Sequence, residues 1–311
     1  MTKFYIFLML LINLWCLCSL SCAPLRMNNS ELPPEELPTG HPALEILGKY
    51  MPHNPQLNLV IPYHVNLMAL DLLRTPSTNN LSLVKKYMDW YLSHLNYPDL
   101  YGTTGSIYDY EVLADGREVS LASMDSVDSY AATFIMLVEK YSAVANDSLF
   151  PEQNRQKLED IVYLIPYLQQ ADGLTIALPN TTGKYLMDNC EALAGIDAFV
   201  TLGERLGWES RDYYKKLHAT LLHAIESLFY NPSLGNYYWL IDGNNIPISS
   251  WNIFYPDSYA QLFPILFGII TDKNRKIAIW NQFHQSHQNI LEALPVEQRI
   301  IYEWTKEVIF K

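Results

Sequence analysis

Apolar residues recur three and four positions apart along most of this chain, the period of a helix with one buried face. Leu59, Val60, Tyr63, Leu67, Leu70 and Leu73 predict a helix over 58–74, with Pro62 near its start, where proline is tolerated. Leu83, Tyr87, Trp90, Tyr91 and His94 predict a second over 82–95. The same reading gives helices over 125–144, 151–170, 188–206, 210–229, 257–270 and 272–288, and one from about 295 onward. Between them the pattern changes: residues 106–112 read as a short strand or loop, and 230–251 as a hairpin region with turns at Gly235-Asn236 and Asp242-Gly243.

The helices alternate in character. Ala131-Ala-Thr-Phe-Ile-Met-Leu-Val138 is apolar nearly all round, as a fully buried helix is, whereas 151–170 carries charge on one face and reads as peripheral. Long, polar, aromatic connections precede the apolar helices, and short turns such as Gly207–Ser210 follow them. The apolar helices also share a motif: Asn66-Leu-Met-Ala69, Asp128-Ser-Tyr-Ala131, Glu191-Ala-Leu-Ala194 and Asp257-Ser-Tyr-Ala260 recur at a period of about 63 residues. Two copies carry a further acid one turn earlier, Asp125 and Asp188. The expected fold is all-α, an α/α toroid of helical hairpins (four visible) with short β-hairpin loops on one rim.

The amino terminus changes the picture. Lys3 followed by the apolar run Phe4–Leu17, with Ser19 and Ser21 as small residues before Cys22, reads as a secretory signal over 1–21. The segment resembles a bacterial lipoprotein signal, which implies lipidation of Cys22; Ser19 departs from the leucine usual there. Residues 22–50, containing Glu31-Leu-Pro-Pro-Glu-Glu-Leu-Pro38, read as a Pro-rich acidic tether, and 51–311 as the folded domain. A location outside the cytoplasm follows, with membrane contact only through that lipid. Cys190, in an apolar stretch, reads as a buried inert thiol.

The formal net charge of −12 disfavours a nucleic-acid partner. Twenty-two tyrosines and seven tryptophans suit either an aromatic helical core or a wet concave site that stacks on sugar rings. No phosphate loop, Ser-His-Asp order or cluster with metal-ligand spacing is visible, so no cofactor and no metal is expected.

The hairpin order, with acids at the starts of the apolar helices, resembles the six-hairpin glycosidase-like proteins, the (α/α)6 toroids. The resemblance implies parallel inner helices whose amino ends converge on one rim, beside loops that shape a sugar cleft. Two departures stand out. Four hairpins are visible where six are expected, which implies an incomplete ring or a truncated product. The Ser-Glu-Gly pattern that the cellulase-like branch places on its first inner helix is absent; that helix offers Asn66.

On this reading Asp128, Asp188, Glu191, Asp257 and Asp125 are the candidate catalytic acids, Asp128 and Asp188 foremost. Glycoside hydrolysis needs one protonated carboxyl at the leaving oxygen and one ionised carboxylate as base or nucleophile. The competing reading is structural: Asp125-Ser-Val-Asp128 and Asp188-Asn-Cys-Glu191 both fit a helix capping box. Tyr108, Asp109, Tyr110, Trp251 and Tyr255 are candidate sugar contacts, although Asp109, between two tyrosines in a loop, reads first as a solvated turn acid. His64 is a core histidine or, if the protein is a sugar epimerase, its acid–base group. The expected function is a secreted glycoside hydrolase; the alternatives are a non-catalytic glycan-binding or envelope lipoprotein on the same fold, or an epimerase.

Overall fold

The computed structural model describes residues 40–52, 57–242 and 247–311. The signal, Cys22 and most of the tether lie outside these residues. The expected helices are present, with shifted ends, and one element is new. Helix α1 (Pro42–Tyr50) lies inside the stretch read as tether, and it buries Ala43, Leu44, Ile46 and Leu47. The fold continues with β1 (Leu59–Val60), α2 (Pro62–Leu72), α3 (Thr78–Ser93), β2 (Tyr110–Val112), β3 (Glu118–Ser120) and α4 (Val127–Ala145). Then come a short α5 (Leu149–Gln153), α6 (Arg155–Leu168), β4 (Lys184–Tyr185), α7 (Leu186–Leu206) and α8 (Arg211–Ala224). The carboxyl-terminal third holds β5 (Tyr230–Asn231), β6 (Asn236–Tyr237), β7 (Leu240–Ile241), β8 (Pro247–Ile248), α9 (Leu262–Leu266), α10 (Lys273–His287) and α11 (Val296–Phe310).

Local chemistry sets the ends. Ser77 opens α3 by accepting from the Asn80 N–H, and Asp272 opens α10 by accepting from the Arg275 N–H. Gly207 ends α7 at φ 76°, a left-handed conformation that glycine adopts without strain. The predicted helix over 257–270 is broken. A π-turn covers Phe254–Ser258, and only Leu262–Leu266 is α-helical. Pro256 and Pro264 each lack the N–H that a continuous helix needs there.

Helices α2, α4, α7 and α9 form the inner layer, backed by α1, α3, α6, α8 and α10. The inner order is not left open. Helix α11 packs between α9 and α2, so the neighbours run α2, α4, α7, α9, α11 and back to α2. Trp304 Nε1 donates to Asp71 at 2.9 Å, and Arg74 pairs with Glu307 across that seam. The expected gap in the ring is therefore filled among the described residues, by a helix that lacks the repeat motif.

The closest approach in the ring is between α4 and α7. A Cβ at Gly195 would lie 2.5 Å from Ala132 Cα, so only glycine fits. Between layers, aromatic contacts dominate: Tyr91 of α3 stacks on Phe134 of α4 at 3.7 Å, and Phe199 of α7 meets Trp208 and Tyr214. The strands are short and antiparallel. Strands β1-β2-β3 form one sheet, with Val60 opposite Tyr110 and Tyr110 opposite Ser120, and β4-β7-β8 form another. They stiffen the connections that enter the inner helices. Among the described residues no helix is long and apolar enough to cross a membrane.

Candidate active site

The amino ends of the inner helices converge, and their side chains form two tiers. The lower tier is the repeat itself. Asn66, Asp128, Glu191 and Asp257 are all buried, at 0, 0, 1 and 1% exposure, which is rare for acids unless they are held by partners. Asn66 donates to Thr133 Oγ1 at 3.0 Å and accepts from the Tyr87 hydroxyl at 2.8 Å, tying α2 and α3 to α4. The Tyr63 hydroxyl donates to Glu191 Oε1 at 2.7 Å, joining the start of α2 to α7. Asp128 accepts from the Thr175 hydroxyl at 2.5 Å and the Ser129 N–H at 3.0 Å.

The upper tier lines the mouth. Asp125, exposed, precedes α4; Asp188, half-buried, lies in the first turn of α7; Asp109, half-buried, comes from the loop before β2. Their electrostatic coupling places them together: Asp125 acts on Asp109 and on Asp188. Glu297, in the first turn of α11, joins them through its effect on His64, Tyr255 and Tyr259. The aromatic wall consists of Tyr63 stacked at 6.2 Å on Tyr130, Tyr185 stacked at 6.2 Å on Trp239, and Tyr255 against Tyr259 at 5.8 Å.

One hydroxyl connects the tiers. Ser126 Oγ lies 2.7 Å from Asp128 Oδ1 and 3.1 Å from Asp188 Oδ2. A serine hydroxyl has a single proton to give. If it is donated to Asp128, the contact to Asp188 requires a proton on Asp188. The surroundings favour that arrangement. Burial, reinforced by Asp128, Glu191 and Asp125, holds the Asp188 carboxyl well above the usual range. Burial also raises Asp128, but the Thr175 and Ser126 hydroxyls and the Ser129 N–H act in the opposite direction, toward the anion.

The other acids follow the same logic. Burial pushes Glu191 up to about 8 against the hydrogen bonds of Ser129 and Tyr63. It pushes Asp109 up to about 7; the Tyr130 hydroxyl, donating at 2.9 Å, works against this and Asp125 adds to it. Asp125 is raised by desolvation within the recess, partly offset by His64. His64 is lowered by burial, with Glu297 and Asp125 opposing.

The candidates therefore divide. Asp125, Asp188, Asp109 and Tyr255 meet at the mouth, and Glu191 and Asp128 lie beneath it. Asp257 does not join them. Its carboxyl rises to about 7 through burial, opposed by the Ser250 N–H, with no other acid of the group acting on it. Tyr110 is buried against Trp90 and His94, and the Tyr108 hydroxyl accepts from the Leu100 N–H at 2.6 Å, so both are used in packing the 97–112 loop. The Trp251 carbonyl lies 3.0 Å from His287 Nε2, which fixes its loop to α10.

The capping-box reading does not hold. Ser126 and Tyr185 are the residues before α4 and α7, and neither end has a side-chain cap. Glu297 escaped sequence reading because α11 follows the last repeat by about 40 residues rather than 63; the only signal was an acid two residues after Pro295 at the start of a periodic helix. Among the described residues no three His, Cys, Asp or Glu are grouped to hold a metal ion. Cys190 is buried and its thiol is raised by burial, which keeps it protonated.

Comparison with known proteins supports the architecture. No family model matches the chain, and no curated protein matches it in sequence. Among solved structures, a rhamnosidase from Klebsiella oxytoca with rhamnose bound matches 88% of this chain at 11% identity and a TM-score of 0.54. A GH78 family rhamnosidase of Bacillus sp. GL1 matches 87% of this chain at 10% identity and a TM-score of 0.55. The chain shares the hairpin-paired helical fold of these two proteins. The match spans 55% of the length of the Klebsiella enzyme and 29% of the Bacillus one.

Proposed function

We propose that the chain is a glycoside hydrolase whose reaction takes place at the mouth of the ring. The observation that carries this is the Ser126 hydroxyl between Asp128 and Asp188, beneath a recess lined with acids and tyrosines. Asp188 is the general acid: burial and three neighbouring carboxyls favour its protonated form, from which it can protonate a leaving glycosidic oxygen. Asp128, fully buried, does not touch substrate; through Ser126 it orients Asp188. Asp125, the most open of the group, is the carboxylate that acts on the opposite side of the sugar. The tyrosines stack on the sugar ring. The leader and lipidated Cys22 remain part of this proposal; labelling with a fatty acid, abolished in Cys22→Ala, tests them.

The decisive experiment measures release of reducing sugar from a panel of aryl glycosides and oligosaccharides. Asp188→Asn is expected to lower turnover by about 10²–10⁴-fold, the usual range for a general acid. Wild-type turnover in Asp188→Asn, or none by the wild type across the panel, would sink the proposal. A second reading, glycan binding without turnover, is favoured by the full burial of Asp128 and Glu191 beneath the mouth, which leaves fewer acids open to a substrate. It predicts saturable binding in calorimetry and no product.

A further inference from the structure

Five carboxyls surround the mouth or lie just beneath it: Asp109, Asp125, Asp188, Glu191 and Glu297. They come from four segments of the chain, Asp188 and Glu191 sharing α7. Among the described residues none of the five forms an ion pair; Asp188 meets the Ser126 hydroxyl at 3.1 Å, Glu191 the Tyr63 hydroxyl at 2.7 Å and Asp109 the Tyr130 hydroxyl at 2.9 Å. The cation nearest Asp188 in sequence, Lys184, is paired with Asp172. His64, on which both Asp125 and Glu297 act, is held toward its neutral form by burial. Every phenol of the wall is also kept protonated: Tyr63, Tyr130, Tyr185, Tyr255 and Tyr259 are each raised, by burial first and then by these acids or their neighbours.

Resting on the proposed glycan site, we infer that it selects neutral sugars and excludes those carrying a carboxylate or sulfate. A uronic acid would have to bring its carboxylate out of water into this partly desolvated recess, where among the described residues none of the five acids has a positively charged partner. A desolvated anion without a cation is disfavoured, and any carboxyl of the set that is ionised adds to the cost. A neutral pyranose meets no such barrier. Its hydroxyls can donate to the carboxylates, accept from protonated carboxyls and tyrosine hydroxyls, and its apolar face fits the aromatic wall. Glu297 is the specificity residue of this set. It reaches the mouth from α11 and acts on His64, Tyr255 and Tyr259 without being part of the Ser126 bridge.

The test uses matched pairs that differ only at C6, gluco, galacto and manno oligosaccharides against their uronic acid counterparts. Binding is measured by calorimetry and turnover by product release. The expected result is at least ~10-fold tighter binding of the neutral member in low salt, narrowing as salt screens the field. Glu297→Gln narrows the gap in the same direction, and its thermal unfolding curve separates that effect from misfolding. Equal or tighter binding of a uronic acid member overturns the inference, whether or not either is hydrolysed. Neutral-only binding without turnover supports it while removing the hydrolase reading. Binding of no member of any pair overturns both.

Discussion

The two ends of the inner helices treat their acids in opposite ways. At the amino ends, Asp188, Glu191, Asp109 and Asp125 are raised by burial and by one another, with hydroxyls rather than cations as partners. At the carboxyl ends the charges are matched. Asp71 accepts from Arg74, Trp304 and the Tyr50 hydroxyl, Glu139 faces Arg205 at 3.6 Å, and Glu307 pairs with Lys311 as well as Arg74. Recesses exist there too, one of about 500 Å³ lined by α2, α4, α7 and the α9 segment. A recess alone therefore does not distinguish the ends. Charge does: acids left uncompensated are costly to keep and point to chemistry, whereas compensated ones point to assembly. The helix dipoles favour the same division, acids at the amino ends and cations at the carboxyl ends.

Substitutions at the two ends are therefore expected to separate activity from stability. The largest effect is that of Asp188→Asn, which abolishes most turnover yet raises the unfolding midpoint, since it removes a carboxyl from a crowded, desolvated cluster. A lowered midpoint in thermal unfolding would break the comparison. Gly195→Val acts on both ends at once. It forces α4 and α7 apart where Ala132 leaves no room, at a cost of about 3 kcal/mol or more, and activity falls with stability. Asp71→Asn sharpens the contrast. It weakens the hydrogen bonds and ion pair at the seam between α2 and α11, costs about 2 kcal/mol in denaturant unfolding, and leaves turnover per folded molecule within about twofold.

The smallest effect is a slope. Glu191 is raised from the ordinary glutamate value of 4.5 to about 8, so between those values the folded protein binds more protons than the unfolded chain. Stability then falls as pH rises across that window, being fully present below about 4.5 and lost once pH passes about 8. Thermal midpoints measured from pH 4.5 to 9 should show the decline, and Glu191→Gln should flatten part of it. A midpoint that climbs over this range in the wild type, or an unchanged slope in the variant, would contradict the uncompensated mouth.

Much of this division was legible in the sequence, at the level of elements. Periodicity located the helices, and the 63-residue motif named the residues that form the buried tier. The tiers themselves were not legible. Asp128 and Asp188 look alike as helix-start acids, but Asp128 sits at the second position of α4 and turns inward to Thr175, whereas Asp188 sits at the third position of α7 and faces the mouth side of Ser126. One residue, just over a quarter of a helical turn, decides between them, and element boundaries read from sequence carry an error at least that large. Asp257 shares the motif but follows a broken helix start, which carries it away from the others. Glu297 lacks the motif and arrives by ring closure, a tertiary event that no local pattern encodes.

That closure has a kinetic side. The seam joins Asp71 to Trp304 and Arg74 to Glu307, partners 233 positions apart in the chain. Contacts so distant cannot form until nearly the whole domain is available, and topologies dominated by them fold slowly. A partly synthesised chain would leave Asp71, near the end of α2, without Trp304 for as long as its last helix is missing. The seam is therefore among the last contacts of the domain to form.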